Sequence, residues 1–444
     1  MNRFPDGFVW GVSTSAYQIE GATTVGGRGE SIWDRFTSVP GRVSDGSDGS
    51  IATDHYHRWE ADLDLLAELG VGAYRFSVAW PRIQPDGRGR PSRAGLDFYD
   101  RIVDGLRARG IAPWLCLNHW DLPQALQDRG GWPNRDVASY FADYAEHVAL
   151  ALGDRTEQLF MLNEPNVHAV MGYLFGLHAP GHSELGEFLA AVHHQNLATG
   201  LAALRLREVA PHASLGTILN LQPVEAAERG EEHQAAAALV DAAYNRAALD
   251  PLLRGAYPEA LAGMMSPYVQ GDDLRHIATP LDLLGVNHYT RLYVRADPDG
   301  PAGLALASPP KGRKLTAMGW EVAPEALYRQ LCELKTDYGN PALVITENGA
   351  AFDDRQGPRG AVDDRQRSAY LAAYLRAVAQ ACEEGCDVRG YFVWTLVDNF
   401  EWSFGFDRRF GLVQLERDSL KRTPKGSFDV YREIVANHAA PEDL

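Results

Sequence analysis

One pattern constrains the fold more than any other. Eight short apolar runs recur along the 444-residue chain, mostly separated by stretches of helical periodicity. The runs are Phe8–Ser13, Ala73–Ser77, Ile111–Leu117, Leu159–Leu162, Ala213–Asn220, Leu281–Asn287, Leu343–Glu347 and Arg389–Trp394. Each is too short for a helix and nearly continuous in apolar residues, as a strand of a buried parallel sheet should be. Between them, Trp59, Leu63 and Leu66 fall at i, i+4 and i+7 before Gly70, and Tyr99, Ile102 and Leu106 form one stripe within Leu96–Arg109. Tyr140, Tyr144 and Val148, the segment Leu185–Val209, and Tyr370, Tyr374 and Val378 continue the alternation. These units predict a parallel sheet closed on itself. The fold class is α/β, a single (β/α)8 TIM barrel domain over residues 1–444 with long βα loops at its C-terminal face. An open doubly wound sheet is the alternative, but no GxGxxG or phosphate-binding loop opens a helix after any run. Gly21–Ser50 and the Pro- and Gly-rich stretch Ala296–Arg313 are expected to be loops.

In such a barrel the working residues lie at the carboxyl ends of the strands. The second run ends near Arg75, the third in Asn118-His119-Trp120, the fourth in Asn163-Glu164, and the fifth in Asn220. The sixth gives Asn287 and Tyr289, the seventh Glu347, and the eighth Trp394, with Asp398, Glu401 and Trp402 just beyond. Amides and carboxylates bind hydroxyls, and Trp faces pack on the C–H faces of a sugar ring, so this mouth suits a neutral polyhydroxy ligand. Two strand-end glutamates, Glu164 and Glu347, are the minimum set for splitting a glycosidic bond. One must be an ionised nucleophile. Arg75 is the candidate cation that keeps it so, and Tyr289 a candidate hydrogen-bond donor to it. The other must begin protonated, its carboxyl raised by burial and by the first carboxylate's charge. The residues alone leave open which glutamate does which.

Composition closes off other classes. Lys and Arg total 42 against 59 for Asp and Glu, a net charge of −17, so nothing draws the chain to nucleic acid or anionic membranes. Cys116, Cys332, Cys382 and Cys386 are sparse and form no CxxC, which fits free thiols in a reducing compartment. The pairs His55/His57 and His193/His194 lack a third partner at ligand spacing, so no metal is expected, and Trp10, Trp33 and Trp59 read as packing residues. With no charged-then-apolar leader and no apolar run of membrane length, the expected location is the cytoplasm.

Several motifs then match a known family. Phe8-Val9-Trp10-Gly11, Ser15-Ala16-Tyr17-Gln18-Ile19-Glu20-Gly21, Tyr74-Arg75-Phe76-Ser77, His119-Trp120-Asp121-Leu122-Pro123, Asn163-Glu164-Pro165, Ile345-Thr346-Glu347-Asn348-Gly349 and Asp398-Asn399-Phe400-Glu401-Trp402 all stand in this chain. From Phe8 to about Ser427 it closely resembles glycoside hydrolase family 1, the β-glucosidases and their relatives. The resemblance implies a cofactor-free, retaining double displacement on β-D-glucosides or short β-linked oligosaccharides, with β-galactoside or β-fucoside activity alongside. It assigns Glu347 as nucleophile and Glu164 as acid/base. It places Gln18, His119, Trp120, Asn163, Trp394, Glu401, Trp402 and Phe410 around the glycone, and Asn220, Trp320 and His178 nearer the leaving group. Glu164, where thioglucosidases carry Gln, implies an O-glycosidase. Glu401, where phospho-β-glucosidases carry a small residue, implies an unphosphorylated sugar. A transglycosidase or a non-catalytic binding barrel are the remaining readings. The chain departs from the family at Asn166, where a large aromatic or apolar residue is common, and at His288 within Asn287-His288-Tyr289.

Overall fold

The computed structural model describes residues 2–356 and 362–441. Eight parallel strands close into a barrel. They are β1 (Val9–Ser13), β2 (Ala73–Ser77), β3 (Ala112–Asn118), β4 (Gln158–Asn163), β5 (Ser214–Asn220), β6 (Leu283–Asn287), β7 (Leu343–Asn348) and β8 (Val388–Trp394). Neighbours pair in sequence order, and β8 closes on β1. The closed sheet excludes the open alternative, and the eight strands coincide with the eight apolar runs. Those runs are apolar throughout because almost every strand residue is buried, on one face by the barrel interior and on the other by helices.

The covering helices include α1 (His55–Leu69), α2 (Arg93–Ala108), α3 (Asp136–Leu152), α4 (Leu185–Val209), α5 (Glu231–Asp241), α6 (Ala247–Arg254), α7 (Pro324–Asp337), α8 (Arg365–Glu383) and α9 (Gly426–Asn437). Gly70 ends α1 in the left-handed conformation, and its N–H returns to the Leu66 and Ala67 carbonyls. None of the described helices is long and apolar enough to cross a membrane. Inside the barrel, Ala73, Trp114, Cys116, Phe160, Ile218, Leu283, Val344 and Phe392 form a packed plug. Gly11 makes room for it: a Cβ there would sit 2.2 Å from the Phe392 ring.

Two stretches expected to be loops carry structure. Within Gly21–Ser50, Ile32–Thr37 is a short helix started by a Ser31/Asp34 capping box, which buries Trp33. Part of Ala296–Arg313 belongs to a side sheet: Leu304–Ala307 pairs antiparallel with Leu292–Ala296, which pairs parallel with Val224–Ala226. Val294 of its central strand packs on Ala236 and Ala237 of α5, so the burial of a few small apolar side chains outweighs the turn chemistry of the Pro and Gly.

Strand register sets out the mouth. Ser13 lies beside Arg75 and Trp394, and Asn287 beside both Asn220 and Glu347. The strands that deliver the glutamates are irregular. β4 slips against β5 between Phe160 and Asn163, and β7 slips against β6 between Ile345 and Glu347. Such irregularities re-aim side chains at a barrel rim.

Candidate active site

Along a strand, successive side chains point to opposite faces, so Asn163 and Glu164 should not both reach the mouth. They do so because Glu164 leaves the strand in a left-handed conformation, φ 47° and ψ 54°. Trp120 (φ 73°) and Trp402 (φ 50°) share that uncommon geometry, so three mouth residues sit on strained backbone. At β7, Gly349 allows the turn after Glu347 to pack on β8, since a Cβ there would lie 1.8 Å from the Trp394 carbonyl oxygen.

The two glutamates share one buried network. Arg75 Nη1 donates to Glu347 Oε1 at 2.5 Å, and the Tyr289 hydroxyl donates to Glu347 Oε2 at 2.7 Å. Arg75 Nη2 donates to Asn163 Oδ1 at 2.6 Å. Asn287 Nδ2 spans the pair, reaching Asn163 Oδ1 at 3.1 Å and Glu164 Oε1 at 2.8 Å, while Asn220 Nδ2 donates to the same Oε1 at 2.8 Å. Thr346 Oγ1 orients Asn287 by donating to its Oδ1 at 2.7 Å.

The electrostatics are asymmetric. Burial, then the charge of Glu347, pushes the Glu164 carboxyl up to about 8, against the pull of its amide donors and Arg75. Burial also raises Glu347, but Arg75, in contact, and Tyr289 pull it back. Arg75 thus offsets desolvation instead of holding Glu347 below the ordinary carboxylate range. A proton shared by the pair resides on Glu164, because only Glu347 touches a cation.

Around this pair lies an aromatic and amide wall. His119 Nε2 and Asn163 Nδ2 are 3.0 Å apart, and the Trp120 indole donates to the Asn163 carbonyl at 2.9 Å. The His119 ring stacks on Trp394 and Trp402 at 5.7 and 5.9 Å. Burial and then Arg75 hold His119 well below its ordinary range, so it stays neutral. Gln18 is fixed by Ser15 Oγ on its Oε1 and by its own bond to the Phe400 carbonyl, at 2.6 and 2.8 Å. That bond ties it to the segment carrying Glu401. Burial, then Glu347 and Glu164, push the Glu401 carboxyl to about 8. His119 Nδ1 and Glu401 Oε2 are buried without a protein partner among the described residues. On another side, Tyr289, Trp320, Trp394 and Phe410 form an apolar patch. His178 packs its ring on Trp33 and Trp120 at 5.4 and 5.5 Å. His288 Nδ1 donates to the Leu221 carbonyl at 2.9 Å, behind the mouth.

Other participants carried no visible signal in the sequence. Tyr244 and Gln222 contact Asn220, yet Tyr244 lies in an Ala-rich stretch that reads only as helix. Lys425 is distant in sequence but holds Asp398 at 2.7 Å and Asp354 at 2.6 Å, bracing the segment that leads to Glu401. His193, which the sequence reading excludes from metal binding, bonds Tyr257 and Asp273.

The sequence profile of glycosyl hydrolase family 1 matches residues 1–440. Beta-glucosidase A of Acetivibrio thermocellus is 42% identical over 442 residues, covering 98% of both chains. The bifunctional beta-D-glucosidase/beta-D-fucosidase of Bifidobacterium breve is 44% identical, covering 98% of this chain and 99% of its own. Among solved structures, the family 1 β-glucosidase of Thermotoga maritima superposes with a TM-score of 0.96 at 41% identity, over the full length of both chains.

Proposed function

Because this chain belongs to glycosyl hydrolase family 1, we propose that Glu347 is its catalytic nucleophile and Glu164 its acid/base. The enzyme is a retaining exo-β-glycosidase that removes terminal β-D-glucosyl residues by double displacement. The observation that carries the assignment is the asymmetry of the pair: a guanidinium and a phenol on Glu347, two amides and no cation on Glu164. In the first step Glu347 attacks the anomeric carbon while Glu164 protonates the leaving oxygen. In the second, Glu164 takes a proton from water, whose oxygen displaces Glu347 from the same carbon. Two inversions give retention, a chemistry that holds its carboxyls about 5–5.5 Å apart.

The glycone is held by Gln18, His119, Asn163 and Glu401, with Trp394, Trp402, Trp120 and Phe410 as apolar walls. Glu401 adds an acid where a 6-phosphate would need a cation, which supports an unphosphorylated sugar. β-Glucosides and short β-linked gluco-oligosaccharides such as cellobiose are the proposed substrates, with β-fucosides alongside, as the name of the Bifidobacterium relative supports. The four cysteines are unpaired, which supports work in the reducing cytoplasm.

Azide tests both roles. In a Glu347→Gly variant it should replace the nucleophile and give the α-glucosyl azide. In Glu164→Ala, where the glycosyl-enzyme still forms from an activated aryl glucoside, it should give the β-glucosyl azide. Proton NMR distinguishes the anomers, and the opposite pairing of variant and anomer would reverse the assignment.

A further inference from the structure

Glu164 Oε1 accepts from two amides, Asn287 and Asn220. An amide side chain is nearly symmetric in shape but not in chemistry, so something must decide which end of Asn220 faces Glu164. Asn220 Oδ1 accepts from Gln222 Nε2 at 2.8 Å and from the Tyr244 hydroxyl at 3.0 Å. With two donors on the oxygen, only the nitrogen is left to turn toward Glu164. Both donors are themselves anchored. The Gln222 backbone exchanges two hydrogen bonds with the Asn245 side chain, at 3.1 and 2.8 Å. Asn166, one of the two positions at which this chain departs from the family pattern, donates to the Asn220 and Tyr244 carbonyls at 2.7 and 3.0 Å. It straps the turn that carries Tyr244 to the strand that carries Asn220, two residues after Glu164.

We propose that Gln222 and Tyr244 are positioning residues for the acid step: they lock the Asn220 amide with its nitrogen toward Glu164, which reserves Oε1 as an acceptor and leaves the transferable proton on Oε2. The proposal rests on Glu164 being the acid/base. Released from its two donors, Asn220 is free to flip. Its Oδ1 would then accept the Glu164 proton and hold it away from the leaving oxygen. A nitrogen facing Glu164 favours the carboxylate, whereas an oxygen facing it favours the acid, so the flip changes the sign of the interaction. The other titratable groups near Glu164 are Glu347, Arg75, Tyr289, Tyr244 and Glu401.

The test compares Tyr244→Phe, which removes one oxygen, with the Gln222→Met/Tyr244→Phe double variant. The readout is the pH profile of kcat/KM on phenyl and 2,4-dinitrophenyl β-D-glucosides. The expected result is a basic limb moved up by about one pH unit, the worth of one hydrogen bond to a charged group. Phenyl glucoside, which needs the acid, should lose about tenfold more than the dinitrophenyl glucoside, which does not. Equal losses on both substrates with an unmoved basic limb would reduce Gln222 and Tyr244 to packing and overturn the proposal. A Glu164→Gln variant separates the premise: a basic limb that survives in it would remove Glu164 from the acid role itself.

Discussion

Arg75→Met is the substitution whose consequence is most fully set by this structure. Arg75 is wholly buried and its guanidinium meets one carboxylate, Glu347, at 2.5 Å. With charge centres about 4 Å apart and an effective dielectric of about 20, the pair is worth about 4 kcal/mol, or about three pH units on the Glu347 carboxyl. Burial already pushes that carboxyl up, and the guanidinium is what opposes it. Removing the cation therefore moves the acid limb of kcat/KM to higher pH, toward the basic limb governed by Glu164 at about 8. As the limbs approach, the bell narrows and its maximum falls, because at every pH a smaller fraction of the enzyme holds Glu347 ionised while Glu164 is protonated. At a pH below both limbs, kcat/KM should fall about 1,000-fold. The assay is a pH profile with an aryl β-D-glucoside, alongside near-ultraviolet circular dichroism to confirm the fold. Arg75→Lys keeps the charge and loses the fork that also holds Asn163, so its acid limb should stay within about one pH unit of the parent while activity falls. A Met variant that loses activity equally at every pH, with its acid limb unmoved, would refute the electrostatic reasoning.

Two further perturbations follow from the same geometry. Tyr289→Phe removes a 2.7 Å bond to the Glu347 carboxylate and should lower kcat/KM about 10- to 100-fold while moving the acid limb up; an unmoved limb would mean the phenol does not act on Glu347. Lys425→Met leaves Asp354 and Asp398 buried without their lysine, which should cost about 3–5 kcal/mol and lower the thermal midpoint by about 3–5 °C, measured by calorimetry; an unchanged midpoint would show that Arg367, at 2.9 Å from Asp354, neutralises the cluster alone.

Much of the barrel was legible in the linear chain, and for a physical reason. Strands buried on both faces must be apolar throughout, so Leu159–Leu162 and Leu343–Ile345 stand out without an alignment. Ala296–Arg313 misled because Pro and Gly report local backbone preference, while the hairpin of Leu304–Ala307 on Leu292–Ala296 is held by Val224–Ala226, a strand it meets only in space. Arg75 was legible as a partner of a glutamate, since a cation on a buried strand needs a counter-charge. Its net effect was not, because desolvation depends on how much protein surrounds Glu347.

The sequence by itself determined the alternation of strands and helices and the functional groups carried at the strand ends. These depend on short-range periodicity and on residue identity. Only the tertiary structure decided which group faces which. The slips of β4 and β7 and the left-handed turn at Glu164 aim the two acids, and Arg75 and Tyr289 make one of them unlike the other. Asn166 and Tyr244 converge on Asn220 from separate segments. Hydrogen bonds and charges act over a few ångströms of space, whatever the distance along the chain, so that part of the site existed only once the barrel had closed.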